Sequence, residues 1–216
     1  MVAWKTLFVD EAAKMGITLS HSQVVQFETY MHELKEWNKQ INITAITSTE
    51  DIVIKHFIDS LSVLSCVDLS GSVVDIGSGA GFPGIPLKIV RKEITLVLIE
   101  AKRKKANFMR HIIRRIDLQK TDVFKGRAEE YKPAALFDYA ISRALSDPQN
   151  FSRIALPLVH KGAKLVCMQG KNNAVSLDQL SSMGLQAEKS KEFILPGGRG
   201  KRHITILRNV SRETSN

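Results

Sequence analysis

Apolar residues recur along the first 65 positions at three- and four-residue spacing, the period of a helix with one buried face. Ser20 is placed to cap a helix, with Gln23 three positions on as in a capping box, and Val24, Phe27, Met31, Leu34 and Trp37 then form a stripe. The stripe reads as a core face, Trp37 included. A second helix starts at Ser48 and bends into 55–61, with Phe57, Leu61 and Leu64 on its apolar side. His56, Asp59 and Ser60 project largely off that side, so His56 and Asp59 read as a solvent-facing pair.

From Val73 the pattern changes to short β-branched runs. Val73–Ile76, Ile94–Ile99, Thr121–Lys125, Phe137–Ser142 and Ala163–Met168 read as buried strands, with helices between them, the last over 148–160. After a helix over 174–183, strands over 186–193 and 203–207 can pair through Leu195-Pro196-Gly197-Gly198-Arg199-Gly200-Lys201-Arg202. The expected fold is α/β: a Rossmann-like seven-stranded sheet with an antiparallel last strand. It divides into a helical extension (1–65), a sheet domain (66–210) and a polar tail (211–216).

The chemistry of the chain changes most abruptly at Asp75-Ile76-Gly77-Ser78-Gly79-Ala80-Gly81-Phe82-Pro83-Gly84-Ile85-Pro86. Glycines at 77, 79 and 81 remove every other Cβ, so the backbone can turn tightly and lie against a ligand. Pro83 and Pro86 fall where a first helical turn tolerates proline. This is the nucleotide corner of a doubly wound fold. Two frames fit it. Gly79, Gly81 and Gly84 match the dinucleotide pattern, with Pro83 inside it; acid-x-G-x-G-x-G from Asp75 fits without a shift. Glu100, at the tip of the next strand, stands where a carboxylate holds a ribose diol, and it serves either cofactor.

Charge adds a partner. Thirty-one Lys and Arg against 22 Asp and Glu give a net charge of +9, a balance that suits nucleic acid. The cations concentrate in one predicted helix: Lys102, Arg103, Lys104, Lys105, Arg110, Arg114 and Arg115, with no acid between Glu100 and Asp117. Cys66 and Cys167 are too few for a metal cluster or disulfide framework, and no run approaches the roughly 20 apolar residues of a membrane helix. A reduced, cytoplasmic protein without structural metal is expected.

The glycine stretch, Trp37-Asn38 to Asn42-Ile43-Thr44, His56-Phe57-Ile58-Asp59-Ser60-Leu61, Arg127-Ala128-Glu129-Glu130 and Ser142-Arg143-Ala144 together resemble the bacterial ribosomal RNA small subunit methyltransferase G family. The resemblance runs in order over about residues 30 to 170. It implies a class I methyltransferase that uses S-adenosylmethionine to methylate N7 of one guanine in 16S ribosomal RNA. Carried over by position, Gly77 and Phe82 contact the cofactor, with Gly79 and Gly81 in the same loop. Ala128 and Glu129 meet the adenine end, and Arg143 lines the pocket beside the methyl donor. Asp75 braces the loop or the methionine amino group.

Guanine N7 loses no proton when it attacks a methyl group, so positioning is the expected catalytic device, with Arg143 the leading residue and Asn42, His56, Asp59 and Ser60 weaker ones. RNA-binding expectations fall on Lys102, Arg103, Lys104, Lys105, Arg114, Lys171, Arg199, Lys201 and Arg202. The chain departs from the family at Met168-Gln169-Gly170-Lys171, where a Lys commonly precedes the glycine. The expected partner is 16S ribosomal RNA or a small-subunit assembly intermediate, and the expected state is a monomer. The competing readings are an NAD-dependent oxidoreductase, from the shifted glycine frame and Glu100, and a non-catalytic RNA-binding module on the same fold.

Overall fold

The β-branched runs become the middle of the sheet. In the computed structural model, which describes residues 3–143, 147–170 and 177–210, β1 (Ser72–Ile76) lies between β2 (Thr95–Glu100) and β4 (Phe137–Arg143), parallel to both. Apart from their first residues β1 and β2 are wholly buried, as expected of strands covered on both faces. With β3 (Thr121–Lys125), β5 (Val159–Gln169), β6 (Leu185–Ile194) and β7 (Lys201–Asn209), the order is β3-β2-β1-β4-β5-β7-β6. β7 enters antiparallel between β5 and β6. The five parallel strands thus bring Ile76, Glu100, Lys125, Arg143 and Gln169 to one edge, where sheets of this kind bind ligands.

The helices are α1 (Ala3–Lys14), α2 (His21–Ile41), α3 (Thr49–Ile52), α4 (Asp59–Leu61), α5 (Gly84–Val90), α6 (Arg103–Arg115), α7 (Pro148–Ala155) and α8 (Leu177–Ser182). Ser20 caps α2 as its sequence indicates: Ser20 Oγ accepts from the Gln23 amide and Gln23 Oε1 accepts from the Ser20 amide. Phe27, Tyr30, Met31 and Leu34 form the buried face of α2; Trp37 is half-buried, its ring 5.6 Å from that of Phe108. One core runs without a break from Phe8 and Phe27 through Phe57 and Phe82 to Leu98 and Ile206. A second, with Val74, Ile99, Phe151 and Leu207, fills the other side of the sheet.

Two elements differ from their sequence pattern. Ser48 caps α3 as expected, but α3 passes into a wide π-helical turn over Val53–Ile58 before α4. That turn advances by five residues per hydrogen bond and shifts the phase of the helical residues beyond it. His56, Asp59 and Ser60 are consequently buried, and the solvent-facing pair expected of the first two does not exist. The helix expected over 148–160 ends at Ala155. Pro157 has no amide to continue it, and a short 3-10 turn leads into β5 at the β-branched Val159.

Candidate functional site

The glycine turn at the end of β1 has φ of +72° at Gly77 and +95° at Gly81, values that side chains disfavour. At Gly81 a Cβ would stand 2.4 Å from Ile85 Cδ1, so packing also demands glycine. At Gly77 it would meet nothing within 4 Å: bare backbone faces open space at the strand tip.

Four side chains brace this turn. Asp75 Oδ2 accepts from the Gly84 amide at 2.9 Å, and Glu100 Oε2 from the Gly79 amide at 2.9 Å, while Glu100 Oε1 holds the Lys102 amide. Ser78 Oγ donates to the Asp75 carbonyl. The Tyr30 hydroxyl, from α2, donates to the Ala80 carbonyl at 2.5 Å. Asp75 is fully buried, and burial lifts its carboxyl to about 7 against the hydrogen bond from Gly84. Its second oxygen, Oδ1, has no partner among the described residues.

Beside the turn, His56 lies flat on Phe82 with ring centroids 4.3 Å apart, and the Arg143 guanidinium sits 5.0 Å from the Phe82 centroid. Arg143 donates to His56 Nδ1 at 3.1 Å and to the Lys55 carbonyl at 3.0 Å, and reaches Asp59 Oδ2 at 3.4 Å. A guanidinium has no acceptor, so His56 Nδ1 accepts and its proton resides on Nε2. That proton is donated to Thr44 Oγ1 at 3.0 Å. The same oxygen accepts from the Ile46 amide, which leaves the hydroxyl hydrogen of Thr44 free to point elsewhere. Burial, then the Arg143 charge, depresses His56 to about 3, so it is neutral. Asp59 is held on its other side by Arg202 at 2.9 Å; burial pushes its carboxyl up and the two guanidiniums oppose the shift.

Three hollows adjoin along this edge of the sheet. The first, about 250 Å³, is lined by Gly77, Glu100, Ala101, Ala128 and Glu129. The second, about 240 Å³, shares Gly77 and adds Gly79, Phe82, Thr44, His56, Lys105 and Arg143. The third, about 300 Å³, shares His56 and Arg143 and continues to Asp59, Gln169 and Arg202. The structure thereby gathers Gly77, Gly79, Phe82, Glu100, Ala128, Glu129, Arg143, His56 and Asp59 around one connected cleft. Asp75 and Gly81 brace the turn without lining a hollow.

Asn42 is set apart. It ends α2 with φ of +45° and borders a further groove with Lys35, Asn38 and Lys39, which meets the third hollow at Ile46. Thr44 at the cleft and Tyr30, buried behind the glycine turn, are polar groups that periodicity does not single out, since one stands in a loop and the other inside an apolar stripe. Among the described residues no group of three or more His, Cys, Asp or Glu is arranged to hold a metal ion, and no described helix is long and apolar enough to cross a membrane.

The cations divide into two sets. Lys102, at the N-terminal cap of α6, and Arg103, Lys104 and Arg114 on it are exposed and make no ion pair among the described residues; Lys105 turns into the second hollow. Arg199, by contrast, is paired with Glu50 and Asp51, Arg202 with Asp59, and Lys201 with Glu192. Lys171 lies outside the described residues.

Residues 23–205 match the family described as GidB, rRNA small subunit methyltransferase G. The chain is 36% identical over 213 residues to ribosomal RNA small subunit methyltransferase G of Geotalea uraniireducens (strain Rf4), covering 96% of this chain and 97% of that protein. It is 42% identical to the protein of that name from Caldanaerobacter subterraneus subsp. tengcongensis, over 94% of this chain and 89% of the relative. Among solved structures it resembles a SAM dependent methyltransferase from Aquifex aeolicus (TM-score 0.57, 16% identity, 77% of this chain and 97% of that one). TrmN from Thermus thermophilus has a TM-score of 0.58 at 13% identity, over 81% and 52%. The fold is accordingly that of the S-adenosylmethionine-dependent class I methyltransferases. With matches that run through the glycine turn, the His56 helix and Arg143, this chain belongs to the rRNA small subunit methyltransferase G family.

Proposed function

We propose that this protein methylates N7 of a single guanine in 16S ribosomal RNA, with S-adenosylmethionine as donor, by positioning rather than by general-base catalysis. One observation carries the reading: the titratable groups where the second and third hollows meet are already committed. His56 is neutral with both ring nitrogens engaged, and Asp59 is clamped between two guanidiniums. Neither is free to take a proton, and N7 of guanine, with its in-plane lone pair, has none to give.

The residues fit the cofactor. Ala128, Glu129 and Glu100, which line the first hollow, would hold the adenosine, and Gly77 offers bare backbone between that hollow and the next. Phe82 and Arg143 wall the second hollow. Lys105 and the free Thr44 hydroxyl hydrogen suit an anionic end there, and the buried orphan oxygen of Asp75 lies beneath the same turn. When bound, S-adenosylmethionine supplies an electrophilic methyl group on sulfur. The chain itself aligns the base: Arg143, fixed by Lys55, His56 and Asp59, presents a rigid guanidinium at the junction, and the stacked His56–Phe82 pair forms a flat wall. If the target is paired, unstacking it costs about a few kcal/mol, which the exposed α6 cations offset by holding neighbouring phosphates.

The test is incubation with methyl-labelled S-adenosylmethionine and undermethylated 16S RNA, free and in 30S particles, followed by nucleoside digestion. Label in 7-methylguanosine at one position is expected. Label in another nucleoside overturns the N7 assignment, and RNA binding without transfer favours the non-catalytic module. Saturable binding of NAD without binding of S-adenosylhomocysteine would favour the oxidoreductase.

A further inference from the structure

β5 ends at Gln169, which pairs with His203 of β7 and follows Met168, the partner of Arg143. Gln169 is 7% exposed, and its Oε1 is buried with no donor among the described residues. A buried acceptor without a donor is costly and calls for an explanation. The residue lines the third hollow, whose other polar walls are paired: Arg143 with Lys55, His56 and Asp59, Arg202 with Asp59, and Lys55 with Asp51.

The direction of approach is set by how the hollows join. The second meets the third at His56 and Arg143. A purine in the third hollow whose N7 faces that junction leaves its Watson–Crick edge to the remaining walls, which include Gln169, Gly170 and Arg202. Guanine offers two donors on that edge, N1–H and the 2-amino group. Adenine offers a lone pair at N1, which would oppose the oxygen. The last torsion of a glutamine is soft, so Oε1 can turn into the hollow without disturbing the strand. Lysine, with three donors and no acceptor, could not make this contact.

We propose that Gln169 is a specificity-determining residue that reads the target guanine, its Oε1 accepting a hydrogen bond from the N1–H and 2-amino edge. The assignment rests on the guanine-N7 function proposed for the cleft.

Small-subunit RNA carrying guanine, inosine (no 2-amino group) or 2-aminopurine (no N1–H) at the target position tests it, because all three keep N7. Wild type should lose about 10- to 100-fold in kcat/KM on at least one analogue. Gln169→Leu should be slow on guanine and lose nothing further on that analogue, whereas Gln169→Glu, which keeps an acceptor, should retain discrimination. S-Adenosylhomocysteine affinity reports folding and should be unchanged in both variants. Full discrimination persisting in Gln169→Leu overturns the proposal. Wild type that methylates all three bases equally overturns it without any variant. Wild type that yields no 7-methylguanosine overturns the underlying reading, and the product nucleoside separates that failure from failure of the Gln169 contact.

Discussion

His56 and Phe82 lie face to face, ring centroids 4.3 Å apart and planes 9° from parallel, so a helix from the first third of the chain is pressed onto the cofactor turn. The imidazole is neutral there, with its pKa depressed to about 3 by burial and by Arg143. Between pH about 6.5 and 3 the unfolded chain binds a proton that the folded chain refuses, so this residue makes stability fall as pH falls through that window. His56→Asn should flatten this acid limb relative to wild type. Urea midpoints at pH 4.5 and 7 measure it; an unchanged difference between the two pH values refutes it.

Asp75 acts with the opposite sign. Its folded pKa is raised to about 7, so the folded chain holds a proton that the unfolded chain has lost, and the stabilisation disappears as pH rises from about 4 through 7. Asp75→Asn keeps an acceptor for the Gly84 amide and removes the buried charge. The unliganded variant should therefore gain stability over wild type at pH 8, while its S-adenosylhomocysteine affinity falls about tenfold or more. Calorimetry and titration read the two effects separately; an affinity unchanged in the variant would confine Asp75 to bracing the turn.

Tyr30→Phe deletes one hydroxyl and with it the bond to the Ala80 carbonyl. The expected cost is about 1 kcal/mol, a fall in Tm of about 2–4 °C. Because the lost bond fixes the glycine turn, cofactor affinity should drop as well, which a purely apolar role for the ring would not produce.

Replacing Lys102, Arg103 and Lys104 by Gln should weaken RNA binding and reduce the slope of log K against log salt by about 2, leaving S-adenosylhomocysteine affinity unchanged. Arg199→Gln breaks pairs with Glu50 and Asp51 and should lower stability with little change in that slope. Filter binding at several salt concentrations distinguishes the two; equal slopes for all three proteins would remove α6 from the RNA interface.

Arg143→Lys keeps a charge and loses the planar fork that engages Lys55, His56 and Asp59 together. Methyl transfer should fall about 100-fold, whereas the melting temperature should move by only a few degrees. Arg143→Ala should be worse on both counts, because it leaves the buried Asp59 to Arg202 alone. Turnover at the wild-type level in Arg143→Lys would remove the guanidinium from the site.

Strands and glycine turn are legible from residue order because their cause is local: β-branched runs flanked by turn residues, and glycines where φ is positive. Asp75 and Glu100 are legible for a related reason, since a strand tip fixes where a side chain can reach. The setting of His56 and Asp59 is not, because one π-helical turn shifts the phase on which a helical projection depends. Tyr30 is hidden differently: within an apolar stripe a tyrosine looks like one more core ring, and only the folded chain shows its hydroxyl meeting the turn 50 residues on. Nor does sequence order tell free cations from committed ones. Arg199 and Arg202 look like the lysines of α6 until their acidic partners, more than 140 residues earlier, come into contact.

The bond from Tyr30 to Ala80 also bears on how such a chain is made and inherited. The segment synthesised first carries a strut for a turn synthesised later, so this bond to the turn exists only when α2 is docked against it. A recombination event that kept the sheet and exchanged the leading helices would transplant an unsupported turn. The two portions are therefore expected to diverge together, as one unit of inheritance.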